Sequence, residues 1–312
     1  MLEYLATVGT LTGIFAIAAA GLNITLGYAG VFSAAQAVFV GIGAYVTALL
    51  GPQVGGSLII CAVAAAGCSV AVAMVLALTS LRVSDEYFMV ASLAFQIMVS
   101  TVFTGWYSVT KGTDGISGIP YPRLLGTELS TPETQSRLIW VVAALVVALT
   151  AVLRRGSVGR LFLAIREDPV ATQTLGRSPT LGKYVAIVLG AAVSSLGGVL
   201  YAFYIGFINS AAFDYSLSIQ LTAIVIVGGI GWSLGPVVGS AIVVAAVPLI
   251  SLLDLPSTTV GPLEQLIYGA LIIAAVGVRG YIPSAVVLRE RWAARAGGAR
   301  PWRRAHGPVV KP

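Results

Sequence analysis

Side chains capable of acid–base, nucleophilic or metal chemistry are scarce in this chain. Its one histidine, His306, lies near the C-terminal end, so neither a zinc site nor histidine-based catalysis can be assembled. Both cysteines, Cys61 and Cys68, sit in one apolar run. Seven helical residues hold them about 10 Å apart along the axis, too far for a disulfide, and they read as small buried residues. All twelve carboxylates fall in loops or at the ends of apolar runs, and Glu264, in the first turn of its run, comes nearest to an interior. Proton-coupled carriers place such groups at membrane depth. A proton relay therefore finds little here, whereas sodium held by backbone carbonyls stays open. The nearest approach to a phosphate-cradling loop runs from Gly176 to Lys183 and fails twice. Five residues rather than four separate Gly176 from Gly182, and Lys183 is followed by Tyr184 instead of Ser or Thr. No catalytic residue, metal site or cofactor is expected in this chain, and any ATP must be bound by a partner.

The groups just named are set in a strongly apolar chain. Of its 312 residues, 57% are hydrophobic and 10% charged, against about 25% charged in a soluble domain. Mean hydropathy is +0.94. Water would not tolerate so much apolar surface, so the expected fold is an all-α, polytopic transmembrane bundle of about 8–10 spans. Apolar runs cover residues 4–20, 34–50, 58–81, 88–105, 138–153, 184–205, 219–231, 235–253 and 262–278. Ala18-Ala19-Ala20 resembles a cleavage site, but Glu3 and the lack of an early Lys or Arg are wrong for a signal peptide, so the first run is read as a span. The transmembrane domain is expected over 1–284, with a large external connection at 106–137 and a basic tail at 285–312.

Charge sets the orientation. Fifteen of the 18 Lys and Arg fall in the 81–87 turn, the 154–183 connection and the C-terminal stretch from Arg279 onward, leaving Lys111, Arg123 and Arg137 on the opposite side. The basic side is expected to be cytoplasmic, which puts the C-terminus inside. The tail's arginines could also touch anionic membrane lipid.

Within 154–183, Asp168 suits an N-cap, Pro169 the first helical position and Gly176 a stop. A short helix is therefore expected over about 169–175, flanked by Arg166, Glu167 and Arg177. It reads either as a charged element that docks into a soluble partner or as a loop with two helical turns. Glycine is dense in 21–45, with Gly27 and Gly30, and in 227–241, with Gly229, Gly231 and Gly235. Gly231, Gly235 and Gly239 are spaced four apart, which suits close helix approach, and Pro236 favours a break. Paired breaks of this kind fit an inverted repeat with a pathway at its interface; tight packing without a pathway is the alternative. Polar residues inside the runs are Asn23, Gln36, Gln96, Ser194, Ser195 and Gln220. Each either lines a path or ties one helix to its neighbour.

Four segments in order carry a resemblance: GLNITLGYAG (21–30), TKGTDGISGIP (110–120), RLFLAIREDPVATQTLG (160–176) and VGGIGWSLGPVVGSA (227–241). Over roughly residues 20–280 the chain resembles LivM-type permeases, membrane subunits of branched-chain amino-acid ABC importers. That family usually shows two adjacent glycines where this sequence has Lys111-Gly112. The resemblance implies a bacterial inner-membrane importer subunit that performs no covalent chemistry. It pairs with a second, similar permease in a heterodimer and receives solute from an extracytoplasmic binding protein. Two ATPases, which hold the ATP and Mg, dock on the loop containing Arg166, Glu167, Asp168, Pro169 and Gly176. No nucleic acid is implied. Leu, Ile and Val are the favoured cargo, with amides, urea, sugars or nucleosides as the range of related permeases. The competing readings are a gradient-driven carrier, an intramembrane enzyme and a channel.

Overall fold

The computed structural model describes residues 2–80, 83, 85–124, 126–251 and 257–281. The expected basic tail at 285–312, with His306, lies outside the described residues. Helix α1 (Leu2–Leu22) runs directly into a π-helical turn, Asn23–Tyr28. Then come α2 (Gln36–Leu50), α3 (Leu58–Ser80), α4 (Asp85–Gly105) and the single turn α5 (Tyr107–Thr110). After β1 (Ile116–Ser117), β2 (Arg123–Leu124) and β3 (Thr127–Glu128) follow α6 (Pro132–Arg155), α7 (Ser157–Glu167), α8 (Pro169–Thr174) and α9 (Pro179–Ile205). The chain continues through β4 (Phe207–Ile208), a 3-10 turn (Ser210–Phe213), α10 (Tyr215–Gly228), α11 (Gly235–Ser251) and α12 (Ser257–Tyr281). Residues up to Ile272 make one compact unit, and a second begins at Ile273 with the last stretch of α12.

Five helical segments are long and apolar enough to cross a membrane: Ala6–Tyr28, Leu58–Thr79, Glu86–Gly105, Pro132–Arg155 and Pro179–Ile205. Four shorter apolar helices lie at Gln36–Leu50, Tyr215–Gly228, Gly235–Ala246 and Gln265–Gly277. This is an all-α polytopic membrane bundle. Burial orders it: the spans of α1 and α9 are 72% and 61% buried by the rest of the chain, against 22% for those of α3, α4 and α6. The first pair forms the centre, and the outer three turn residues such as Val63, Val90, Leu145 and Val152 outward, as a lipid-facing surface requires.

Small residues let the central helices touch at backbone distance. A Cβ added to Gly190 of α9 would sit 2.7 Å from the Gly21 carbonyl of α1, and one on Gly197 would sit 2.9 Å from Ala18 Cβ. Gly198 of α9 lies against the Val40 carbonyl of α2 with no room for a methyl group. Without a hydrophobic force between helices in lipid, such close packing is a main source of association.

Two ends of the bundle are distinct. At one end, Ser57 bridges Arg123, the Arg123 N–H donates to Gly56 O at 2.7 Å, and β1 pairs antiparallel with β4. The β2–β3 hairpin there carries an Arg123–Glu128 ion pair of 2.8 Å. Lys111 and Gly112 both take left-handed backbone, at φ 57° and 56°; the second costs glycine little, the first strains a lysine.

Several expectations need correction. Helix α6 begins at Pro132, so the 106–137 connection loses its last six residues to a helix. The 154–183 connection is largely helical, because α6 ends at Arg155 and α9 starts at Pro179, with α7 and α8 between. Cys61 is buried but Cys68 is exposed on α3's outer face. Gly235 and Gly239 do face α10, whereas Gly231 lies in an irregular turn at φ 79° rather than in a helix.

The packing makes a direct prediction. Gly198→Val overfills the α2–α9 contact and is expected to cost at least about 1–3 kcal/mol. Gly67→Ala, which meets nothing within 4 Å, is expected to leave the thermal unfolding of the detergent-solubilised chain unchanged. Equal midpoints for the two variants contradict the packing argument.

Candidate functional site

Between α1 and α2 the backbone leaves the α-helical path. The π-turn widens the helix, and Val31 N–H reaches back six residues to Thr25 O at 2.9 Å. Gly30 then takes φ +73°, and no regular structure forms until Gln36. Helix α2 thus starts with free N–H groups that water does not reach. Side chains from other helices supply the acceptors. Ser92 Oγ of α4 accepts from Ala34 N at 3.0 Å, and Ser218 Oγ of α10 accepts from Ala37 N at 2.9 Å. Gln96 Oε1 accepts from Val38 N at 3.2 Å while its Nε2 donates to Phe213 O at 3.1 Å. Gln36 donates to Ser194 Oγ, which donates onward to Ala18 O at 2.8 Å. Gln36, Gln96 and Ser194 are 0–1% exposed, so these bonds are made in a dry environment.

A second break lies between α10 and α11, where Gly229 and Gly231 take φ 118° and 79°. One side chain joins the two breaks. Asn23 Oδ1 accepts from Gly231 N at 2.9 Å, and Asn23 Nδ2 donates to Trp232 O at 3.0 Å. Nearby, Tyr28 Oη lies 3.2 Å from Ser233 Oγ and donates weakly to Thr150 O at 3.4 Å. Gly27 has no space for a side chain, since a Cβ would meet Asn23 and Gly231 N.

The basic segment grips this junction. Helix α7 is amphipathic, with Phe162 and Ile165 buried, and Gly182 lets α9 close on Ile165. Its last-turn residue Arg166 donates from Nη1 to Gly27 O. A Cβ on Gly30 would lie 2.9 Å from Arg166 Cγ, and one on Gly231 would lie 2.9 Å from Nη1. Immediately after Arg166 the chain turns outward. Asp168 Oδ1 caps α8 by accepting from Val170 N and Ala171 N, each at 2.9 Å, and Pro169 takes the first helical position. Glu167 is exposed, Gly176 ends the turn at φ +76°, and Val170 and Leu175 stand 69% and 81% exposed. Exposed apolar groups on a short, capped helix suit a protein contact.

The predicted residues therefore separate into three places. Asn23, Gly27, Gly30, Gly231 and Arg166 meet at the junction, with Gly229 opening the same turn and Gly235 packing beside it against α10. Gln36 and Gln96 hold the start of α2. Gln220 lines a separate cavity of about 280 Å3 with Phe15, Tyr201, Phe213, Gln265 and Tyr268, where Gln265 donates to Ser216 Oγ at 3.0 Å. Ser92, Ser218 and Tyr28 escaped the sequence reading. Ser92 stands one helical turn from Gln96, a spacing that marks a shared polar face. Among the described residues, no three His, Cys, Asp or Glu side chains gather as metal ligands.

Asn23→Leu leaves the Gly231 N–H unpaired, at about 1–3 kcal/mol, while Trp232 O keeps its bond from Gly235 N at 3.1 Å, and should lower the unfolding midpoint in detergent. Asn23→Asp keeps the acceptor and is expected to fall between it and the unaltered chain. A wild-type midpoint for Asn23→Leu contradicts the assignment.

The profile of the family described as branched-chain amino acid transport system / permease component matches residues 4–276. The chain is 30% identical over 262 residues to the high-affinity branched-chain amino acid transport system permease protein LivM of Salmonella typhimurium, covering 77% of this chain and 62% of that protein. The LivM protein of Escherichia coli K12 matches with the same identity and coverage. The chain thus spans less than two thirds of the length of these relatives. No solved structure matches. With 273 consecutive residues inside the family profile, this membrane protein belongs to the branched-chain amino acid transport system permease family.

Proposed function

We propose that the chain is the translocating subunit of an ATP-driven importer in a bacterial inner membrane, with its C-terminus in the cytoplasm. It works beside a second, similar permease subunit, takes solute from an extracytoplasmic binding protein and is powered by two separate ATPases carrying ATP and Mg. Family membership supports the class of transport. The observation that carries the mechanism is the Arg166 bond to Gly27 O, formed two residues before Asp168 turns the chain into the exposed helix α8. The basic residues of 154–183 support a cytoplasmic location for this end of the bundle. An ATPase that shifts α8 therefore pulls, through Arg166, on the turn where the two broken segments meet. Because Asn23 ties Gly231 and Trp232 to the same turn, both breaks move together and change access from the cytoplasmic end. The chain's contribution is mechanical and orienting; it makes or breaks no covalent bond.

Branched-chain amino acids are the favoured cargo. The 280 Å3 cavity has an aromatic lining with two glutamine amides and a serine hydroxyl, which suits a small solute with an apolar side chain and polar ends.

The expected outcomes separate docking from coupling. In proteoliposomes holding the complex, Val170→Asp with Leu175→Asp should abolish co-purification of the ATPase subunits. Arg166→Gln should keep them and their ATP hydrolysis while lowering leucine uptake roughly 5–150-fold, the usual range of a coupling free energy. Unchanged uptake in Arg166→Gln, or full ATPase recovery with the double variant, contradicts this reading.

A further inference from the structure

A cleft of about 690 Å3 lies between α6 and the start of α11, on the outer side of the junction's Trp232 and Ser233. One wall is a run of small residues on α6, Ala144, Ala148 and Ala151; the other is Leu234 and Val237. Trp140 and Trp232 also line it, and Arg154 and Arg155 close one end. From Trp140 to Arg155 the helix rises about 22 Å, more than the roughly 15 Å depth of one leaflet's hydrocarbon. Outward-facing Leu145, Leu149 and Val152 flank the cleft on the same helix, so it opens beside the lipid-facing surface.

Two observations name the occupant. The body of the cleft is apolar, walled by the α6 alanines with Val147, Leu163, Leu234 and Val237, which suits an extended hydrocarbon chain. Its end carries two guanidinium groups at the level where α6 leaves the membrane, and among the described residues neither forms an ion pair with a carboxylate. Helix α7 starts at Ser157 without a side-chain cap, adding unpaired N–H groups beside them. Paired arginines in this position match a phosphate anion. We infer that the cleft is a binding site for one anionic phospholipid, with an acyl chain along the α6 alanines and the headgroup phosphate on Arg154 and Arg155. The lipid then fills the space against Trp232 and Ser233, the outer side of the α10–α11 break. The inference needs only the membrane-embedded fold and stands or falls separately from the cargo and the ATPases.

The test uses the full chain in phosphatidylcholine vesicles, with Trp106, Trp292 and Trp302 changed to Phe so that Trp140 and Trp232 report. Brominated phosphatidylglycerol should quench their fluorescence at lower mole fraction than equally brominated phosphatidylcholine, by roughly fivefold for each arginine. Arg154→Gln with Arg155→Gln should erase the preference, and Ala148→Phe should erase quenching from within the cleft by both lipids. If the arginine variant does not insert, raising salt on the unaltered arginines must weaken the preference. Equal quenching by the two lipids overturns the inference, as does a preference that survives the loss of both arginines or is insensitive to salt. Loss of quenching once a second permease subunit is co-reconstituted also overturns it, because the cleft is then a protein interface.

Discussion

The backbone amide in an apolar solvent is the constraint on which this structure depends. Within a bilayer every N–H and C=O must find its partner inside the chain, and regular helices meet that demand automatically. Among the described residues, two breaks between apolar helices lie between Tyr28 and Gln36 and between Gly228 and Gly235. Each departure exposes groups that only other parts of the same chain can satisfy. The side chains of Asn23, Ser92, Gln96 and Ser218 answer that demand, and their contacts fix how α1, α2, α4, α10 and α11 lie against one another. The few polar residues of the spans therefore hold the architecture in place.

Arg166 differs from these because it comes from outside the bundle's spans. Its guanidinium reaches a carbonyl of the π-turn, a charge-assisted bond of the stronger kind. Its backbone belongs to the amphipathic α7, which Phe162 and Ile165 anchor. Gly27, Gly30 and Gly231 leave the space it occupies. A surface helix is thereby connected to the backbone of the π-turn through one side chain and no intervening loop.

Much of this was legible in the sequence, for identifiable reasons. Span-length apolar runs reveal themselves through composition, and the Asp168–Pro169 cap followed by Gly176 announces α8 within a residue. Glycine density marked both breaks. Other features needed three dimensions. Helix α7 hides in a basic segment because only three of its residues, Gly159, Phe162 and Ile165, are buried. Arg166 looks like part of a charged surface until the fold brings Gly27 beneath it. The separate tasks of Asn23, Gln36, Gln96 and Gln220 depend on contacts between residues up to 209 positions apart, which no local pattern encodes. The start of α6 reads as loop because its first turns, Glu133 to Arg137, are polar.

The central claim is that α8 and the α10–α11 break form one mechanical unit through Arg166. The most direct measurement is a spin-label distance between cysteines placed at Gln173 and Leu234, both exposed, with Cys61 and Cys68 replaced by serine. It is made in the assembled complex with and without ATP. The account predicts a narrow distance distribution that ATP leaves in place and that Arg166→Gln broadens. A distance that shifts with ATP while Arg166 is intact, or one equally narrow without it, would contradict the account.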